Sequence, residues 1–531
     1  MSWDKVRKAR QQLAREKGTI IKDWGGKLPI ALVYPNSYYV GMSNLGLHAI
    51  YKQLNDHDEI VCERVFWEKE DEVNQAAPLS LESQRPLTDF AALAFTIPYE
   101  IDYFHVVQIL RGSGIPLYAT ERDERHPLII VGGPCVTANP MPLSPFFDCL
   151  CIGEAETILT TMLPVLSEGI REKRDQLLTT LTSLPGIYVP QTNSETPVAR
   201  QWLSNLNEFP VASAIITPDT ELGDLYLIEV QRGCYWHCRF CLVSNIYSPI
   251  RFRSIENILA QAKIGLKDRK RIGLVGPAVS EHPQIEELLF RLRQMGAGLS
   301  ISSLRVSPLS QTILAELAKG GVQTVTLAPE AGSERLRQVI NKNFSNNDIL
   351  ESMDKVIKQG IKQIKLYFMI GLPSEGDEDI EEIINLTLNS KRIIDDQHTG
   401  CRLSLNIAPF VPKAGTTFQW LPMTSISILN HRLSLIKKRL APRGIKIKNE
   451  SPTWSHVQGI LARGDSKLAT VLASMEEISL AGWRKAVENC HLDINFYTEQ
   501  RWDTNEKLPW AILDTGIKPG QLKAELEKAL T

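Results

Sequence analysis

The stretch QRGCYWHCRFC, residues 231–241, places Cys234, Cys238 and Cys241 four and then three positions apart. The whole chain of 531 residues holds only nine cysteines, so a cluster this tight asks for a chemical reason. Thiolates are soft ligands, suited to zinc or to iron–sulfur clusters. Structural zinc takes four ligands, usually drawn from two short hooks. Here there is one hook, with His237 inside it, where the backbone would strain to bring four groups together. Three thiolates on a four-iron cluster leave one iron open for a ligand, whereas fully cysteine-ligated clusters usually serve electron transfer. Zinc and three unrelated core cysteines are the competing readings. Arg232 and Arg239 flank the hook, where they either favour the thiolate form or sit in solvent.

The elements that must hold this hook are legible from hydrophobic periodicity. LYLIEV, immediately before it, reads as a buried strand, and RIGLVG, GLSISSLRV, VQTVTLAP, IKQIKLYFMIG and CRLSLNIAPF follow as five more. Helix-period segments such as SIENILAQAKIGL and DIEEIINLTLNSKRII lie between them. Repeated βα units over 224–424 predict a barrel or partial barrel with its chemistry at the strand carboxyl ends, where the hook falls. A front module over 28–168 alternates continuous apolar strands (LPIALVYP, IVCERVFW, FAALAFTI, HPLIIVGG, FFDCLCIG) with amphipathic helices. That pattern predicts a Rossmann-like parallel sheet covered on both faces, with ligands beyond the strand carboxyl ends. Residues 1–27 read as a helical leader, 169–223 as an irregular connector with one short hairpin, and 425–531 as a small accessory domain. The fold class is therefore α/β.

Composition excludes more than it selects. With 59 basic and 61 acidic residues the formal charge is −2, so no overall field favours nucleic acid or an anionic membrane. The run KDRKR at 267–271 reads as a solvated face without a nucleic-acid role. The start, MSWDKVRKARQQLAREKG, lacks the apolar region of a signal peptide, and no window approaches a spanning helix. An odd, unevenly spaced set of cysteines suits a reducing compartment, so a cytoplasmic protein without membrane partners is expected.

At the hook the chain resembles the radical S-adenosylmethionine (SAM) superfamily: the three cysteines, with aromatic Phe240 before the last, match its C-x₃-C-x-Φ-C signature. The resemblance implies a partial (β/α)₆ barrel with an oxygen-sensitive [4Fe–4S] cluster on Cys234, Cys238 and Cys241. It implies that the open iron chelates SAM, and that an electron from a donor such as flavodoxin or ferredoxin cleaves the sulfonium to a 5′-deoxyadenosyl radical. It also assigns SAM contacts at successive strand ends: Gly276 and Pro277, Ser303 and Arg305, Glu330, then Met369 and Gly371. The front module and tail elements such as ILARGDSKLATVL resemble a subgroup with an N-terminal cobalamin-binding-like domain. Such domains often carry a D-x-H-x-x-G loop whose His ligates cobalt. YPNSYYVGMSNLG has none, and His48 falls within a helical segment. The implied corrinoid is base-off, against Asn36, Tyr38 and Tyr39. The expected function is a radical SAM enzyme such as a cobalamin-dependent methylase of unknown substrate. The alternatives are a methylthiotransferase-like RNA or protein modifier, with a second cluster near Cys135, Cys149 and Cys151, and a non-catalytic cluster- or nucleotide-binding regulator.

Overall fold

A computed structural model of the chain describes residues 3–69, 77–192, 196–301 and 304–531. Ser303 lies outside the described residues.

The front module is a six-stranded sheet of β1 (Leu28–Tyr34), β2 (Ile60–Phe66), β3 (Ala92–Thr96), β4 (Leu128–Gly132), β5 (Cys149–Cys151) and β6 (Ile187–Tyr188). The order is β2-β1-β3-β4-β5-β6, parallel except for β6. Its first five strands have the doubly wound 2-1-3-4-5 order, whose direction switches between β1 and β3. β2 is buried at every position although it contains Glu63 and Arg64. Arg64 is tolerated because Glu16 takes two of its nitrogens at 2.7 and 2.8 Å and Glu82 takes Nε at 2.7 Å. The leader is thus built into this module: Glu16 follows the helix Trp3–Ala14 and enters the core.

Among its described residues the connector forms no hairpin of its own. Ile187–Tyr188 closes the front sheet, and Val198–Ala199 pairs with Leu513–Asp514 near the carboxyl terminus. Short polar segments of this kind find their hydrogen bonds in whichever edge is near, which periodicity cannot foretell.

His48, read as a helix-face residue, is buried. Its Nδ1 accepts from the Ile215 amide at 3.3 Å, and Nε2 meets the Met42 carbonyl at 3.1 Å, an arrangement satisfied by the neutral ring. Burial lowers its pKa from the ordinary imidazole value of 6.5 to about 4. A depressed histidine pKa gives stability that is complete above about pH 6.5 and is lost as pH falls towards 4. The contribution at stake is about 3 kcal/mol. Urea unfolding at pH 7.5 and pH 5 is expected to show a smaller pH difference in His48→Gln than in the parent. Equal differences would remove His48 as a source of acid sensitivity.

The barrel strands are β7 (Leu225–Glu229), β8 (Arg271–Val275), β9 (Gly298–Ile301), β10 (Thr324–Glu330), β11 (Gln363–Ile370), β12 (Arg402–Pro409) and β13 (Lys446–Asn449). They form two parallel sheets, β9-β8-β7 and β10-β11-β12-β13, and among the described residues a bridge between Leu304 and Leu327 joins them. The connector covers the outer edge of β7 through residues 211–213. β13 and the helix Ile426–Leu440 before it belong to this unit, so the barrel runs past the expected boundary at 424. β13 escaped notice because KIKN, with only one apolar residue, has the pattern of a solvated edge strand. The tail from about 450 onward is mostly helical and packs with the front module and the barrel mouth in one apolar core. Among the described residues no helix is long and apolar enough to cross a membrane.

Candidate cluster and SAM site

The hook leaves β7 through Gln231, Arg232 and Gly233. Gly233 has φ +78°, and a Cβ there would stand 2.7 Å from the Tyr247 carbonyl oxygen, so only glycine permits the turn. Cys234, Cys238 and Cys241 then sit half-buried on one loop, close enough to act on one another electrostatically. Burial raises the thiol pKa of Cys234 and pushes Cys238 up to about 11, with Lys342 opposing the shift at Cys238. The loop is clamped from outside. Asn341 Nδ2 donates to the carbonyls of Trp236 and His237, and the Arg239 amide donates to the Ile340 carbonyl.

Among the described residues no three of His, Cys, Asp and Glu converge tightly enough to hold a single metal ion. Zinc at about 2.3 Å from each sulfur would require such convergence. Three half-buried thiols on one loop, within electrostatic reach of one another, suit a four-iron cluster with one open position.

Polar groups for a ligand surround this position. The Arg305 guanidinium lies 3.0 Å above the centre of the Trp236 ring, and its Nε donates to the Ser307 carbonyl at 2.7 Å. Arg305 also interacts electrostatically with Cys238 and Cys234. Trp236 Nε1 is buried and finds no partner among the described residues. Glu330, at φ +67°, receives Lys342 Nζ at 3.1 Å, and both act on Cys238. Gly276 lets β8 approach Gln231: a Cβ would stand 2.8 Å from its Cγ. Phe240 and Met369 pack, partly buried, against the shared apolar core. An orphaned indole N–H, an arginine and an ion pair beside three thiols fit a zwitterionic, sulfonium-bearing amino acid such as SAM.

Other expected contacts take different places. Gly371, at φ +82°, turns its Cα towards Leu429 and Thr424, and its amide donates to Glu375 Oε2 at 2.5 Å. Burial pushes Glu375 up to about 7 against the pull of that amide and of Arg432. Gly371 and Glu375 thus build the turn after β11. Tyr38 is a correction. Ser37 caps a short helix over Tyr38–Gly41 that rotates Tyr38 into the core, where its hydroxyl donates to Glu16 at 2.6 Å. Tyr39 points outward and is 52% exposed, and Asn36 is held by Asp102 at 2.8 Å. Arg232 neither activates the thiols nor points into solvent: Glu154, Glu156 and Glu229 surround it. Cys149 lies in the core on one face of the front sheet and Cys135 in the core on the other, so the front cysteines do not converge on a second cluster site.

Sequence reading missed Trp236, Lys342, Asn341 and Glu375. Trp236 lies inside the quoted hook and Glu375 four residues beyond Gly371, but Lys342 and Asn341 carry no local signal. They matter only because the turn after the helix Glu334–Val339 returns to the hook.

The carboxyl end of the front sheet faces this site. Lys413, beyond β12, reaches Glu100 at 2.6 Å, and Glu100 also accepts from Gln458 Nε2 at 2.9 Å. His105 stands at the switch between β1 and β3, with Nδ1 on the Pro35 carbonyl and its ring stacked on Trp67 at 3.9 Å.

Family comparisons agree with this architecture. Residues 46–190 match the model for radical SAM proteins, N-terminal, and residues 228–387 match the model for the radical SAM superfamily. The uncharacterized protein MJ0966 of Methanocaldococcus jannaschii is 31% identical over 447 residues, covering 83% of this chain and 90% of that one. The chain belongs to the radical SAM superfamily, and it is a radical SAM enzyme. An uncharacterized methyltransferase, PH0819 of Pyrococcus horikoshii, is 26% identical over 272 residues, which span 48% of this chain and 56% of that relative. Among solved structures, the radical SAM methyltransferase TsrM of Kitasatospora setae, with tryptophan and a SAM analogue bound, superposes with a TM-score of 0.49. It shares 14% identity and covers 71% of this chain and 72% of its own.

Proposed function

We propose that the enzyme cleaves SAM reductively at the mouth of the barrel and uses the product to activate a substrate held between the barrel and the front module. The observation that carries this reading is the convergence of three half-buried thiols with Arg305, Trp236 and the Glu330–Lys342 pair at the strand carboxyl ends. When bound, the cluster supplies the electron that breaks the sulfonium. The chain's own residues do the positioning: Arg305 and Lys342 offer donors to a carboxylate, Glu330 accepts from an ammonium, and Phe240 and Met369 shield the reacting end from water. An acidic one-electron donor such as flavodoxin or ferredoxin is the partner this reading requires. Anaerobic incubation with SAM and dithionite should release 5′-deoxyadenosine. A reconstituted protein that binds SAM but releases none would leave only a regulatory role.

Arg305→Ala and Lys342→Ala should each weaken SAM binding about tenfold or more, since a hydrogen bond to a charged group contributes about 1.5–3 kcal/mol. Isothermal titration of cluster-loaded protein decides this, and an unchanged affinity would remove that residue from the site.

Corrinoid-dependent methyl transfer is the finer reading, favoured by one observation: the switch between β1 and β3 opens towards the barrel mouth. The Pro35–Gly46 loop offers no imidazole to cobalt, and Trp67 covers one face of His105. A retained corrinoid is therefore expected to be base-off. Hydroxocobalamin loading followed by electron paramagnetic resonance of the Co(II) form tests it, with nitrogen superhyperfine splitting from the protein as the contrary result.

A further inference from the structure

We infer that the open lumen of the barrel is a nucleotide-binding groove: a base stacks on Tyr367 and phosphate oxygens meet Lys365, Lys446 and Lys448. Which residues face the lumen follows from register and burial. Along β11 the even positions, Ile364 to Ile370, are buried in the core beneath the helices, and the odd positions face the other way. Those odd positions are Gln363, Lys365, Tyr367 and Met369. Residues paired in a parallel ladder share a face, so Lys365 stands in one row with Ser404 and Lys446, and Tyr367 in the next with Asn406 and Lys448. Met369 and Ala408 follow towards the mouth, where the three cysteines are.

A closed eight-stranded barrel fills its interior with branched apolar side chains. This one places three lysines, an asparagine and a tyrosine there, and Tyr367 is 38% exposed although its strand is central. Lysines on an edge strand can serve to prevent edge-to-edge pairing, which would account for Lys446 and Lys448 on β13. That account does not reach Lys365, which is half-buried on a central strand. Among the described residues none of the three forms an ion pair. Unpaired cations in a shared groove favour an anionic occupant, and lysine is a point-charge ligand for phosphate. An exposed aromatic between such cations is the arrangement that takes an unstacked base. The shared chemistry is a nucleotide unit, whether free or within a single-stranded RNA. The inference rests on the reading that SAM is cleaved at the mouth of this lumen.

The test uses the full chain, reconstituted without oxygen, and two probes: a fluorescein-labelled single-stranded RNA decamer of mixed sequence, and AMP as competitor. Fluorescence anisotropy should show binding that weakens with salt. Lys365→Ala and Lys448→Ala should each weaken it severalfold and lower the salt slope by about one. Lys448→Arg should restore it, and Tyr367→Ala should cost roughly fivefold or more. Displacement by AMP assigns the groove to free nucleotides, and binding of the decamer alone assigns it to a strand. Lysine variants that bind both probes as the parent does, or a parent that binds neither, overturn the inference. Release of 5′-deoxyadenosine by the parent protein without added substrate reports separately on the SAM-cleavage reading.

Discussion

Replacing Cys234, Cys238 and Cys241 together with alanine is expected to reduce iron and sulfide after anaerobic reconstitution to background. The remaining six cysteines offer no substitute. Cys62, Cys135, Cys149 and Cys401 are buried, and burial raises their thiol pKa values. Burial raises the Cys151 thiol as well, and Cys490 meets Ser474 in the tail. Their positions keep them apart: Cys62 and Cys149 lie on strands at opposite ends of the 2-1-3-4-5 order, Cys135 is in the core on the other face of that sheet, and Cys401 is in the barrel core. The hook differs in three respects: its thiols are half-exposed, they share a loop, and Lys342 and Arg305 stand beside them. Single substitutions should be less complete, because two thiolates can retain part of a cluster, but each should abolish release of 5′-deoxyadenosine. The folded state should survive, since the loop is also held by Asn341 and Arg239, and circular dichroism would verify this. A triple variant that keeps a full complement of iron would locate the cluster elsewhere and remove the basis for the proposed function.

How much of this site is legible in the sequence depends on the distance over which its parts speak to each other. The hook, its strand and the parallel sheets are local patterns: cysteine spacing, an apolar run, a glycine at a positive φ. Tyr38 and Tyr39 are adjacent and similar, and only the Ser37 cap decides that one turns inward and the other outward. The Glu330–Lys342 pair spans twelve residues, and the contacts of Arg232 with the front module span more than seventy. No periodicity reports such pairs. β13 was missed for a related reason: an edge strand with a charged lumen face lacks the apolar run that marks its neighbours. The lumen lysines became meaningful only once the register placed them in adjoining rows.

Glu154 to alanine should be the most damaging single change outside the hook. Glu154 ends the loop after β5 and receives Arg251 at 2.7 and 3.0 Å, Arg232 at 2.9 Å and the Leu203 amide at 3.0 Å. Glu156 and Glu229 complete the surroundings of Arg232, and Arg253 pairs with Glu229. Three arginines and three glutamates thus balance in a nearly dry contact between the front module and the residues on either side of the hook. Removing one carboxylate leaves two guanidinium groups short of a partner where water cannot replace it, a loss of about 3–5 kcal/mol. Glu154→Gln keeps the shape and some hydrogen bonds and should lose less. Arg232→Lys keeps the charge but not the fork that reaches three carboxylates at once, so it should behave more like a deletion than a conservative change. The effect should be regional. Amide exchange across residues 231–241 should accelerate markedly in Glu154→Ala, while the helix Asp377–Asp396, on the far side of the barrel sheet, should exchange as in the parent. Unchanged protection of the hook would show that β7 and the Asn341 clamp hold it without the front module. Accelerated exchange confined to the hook would instead make the ion network the strap by which the state of the front sheet reaches the cluster loop.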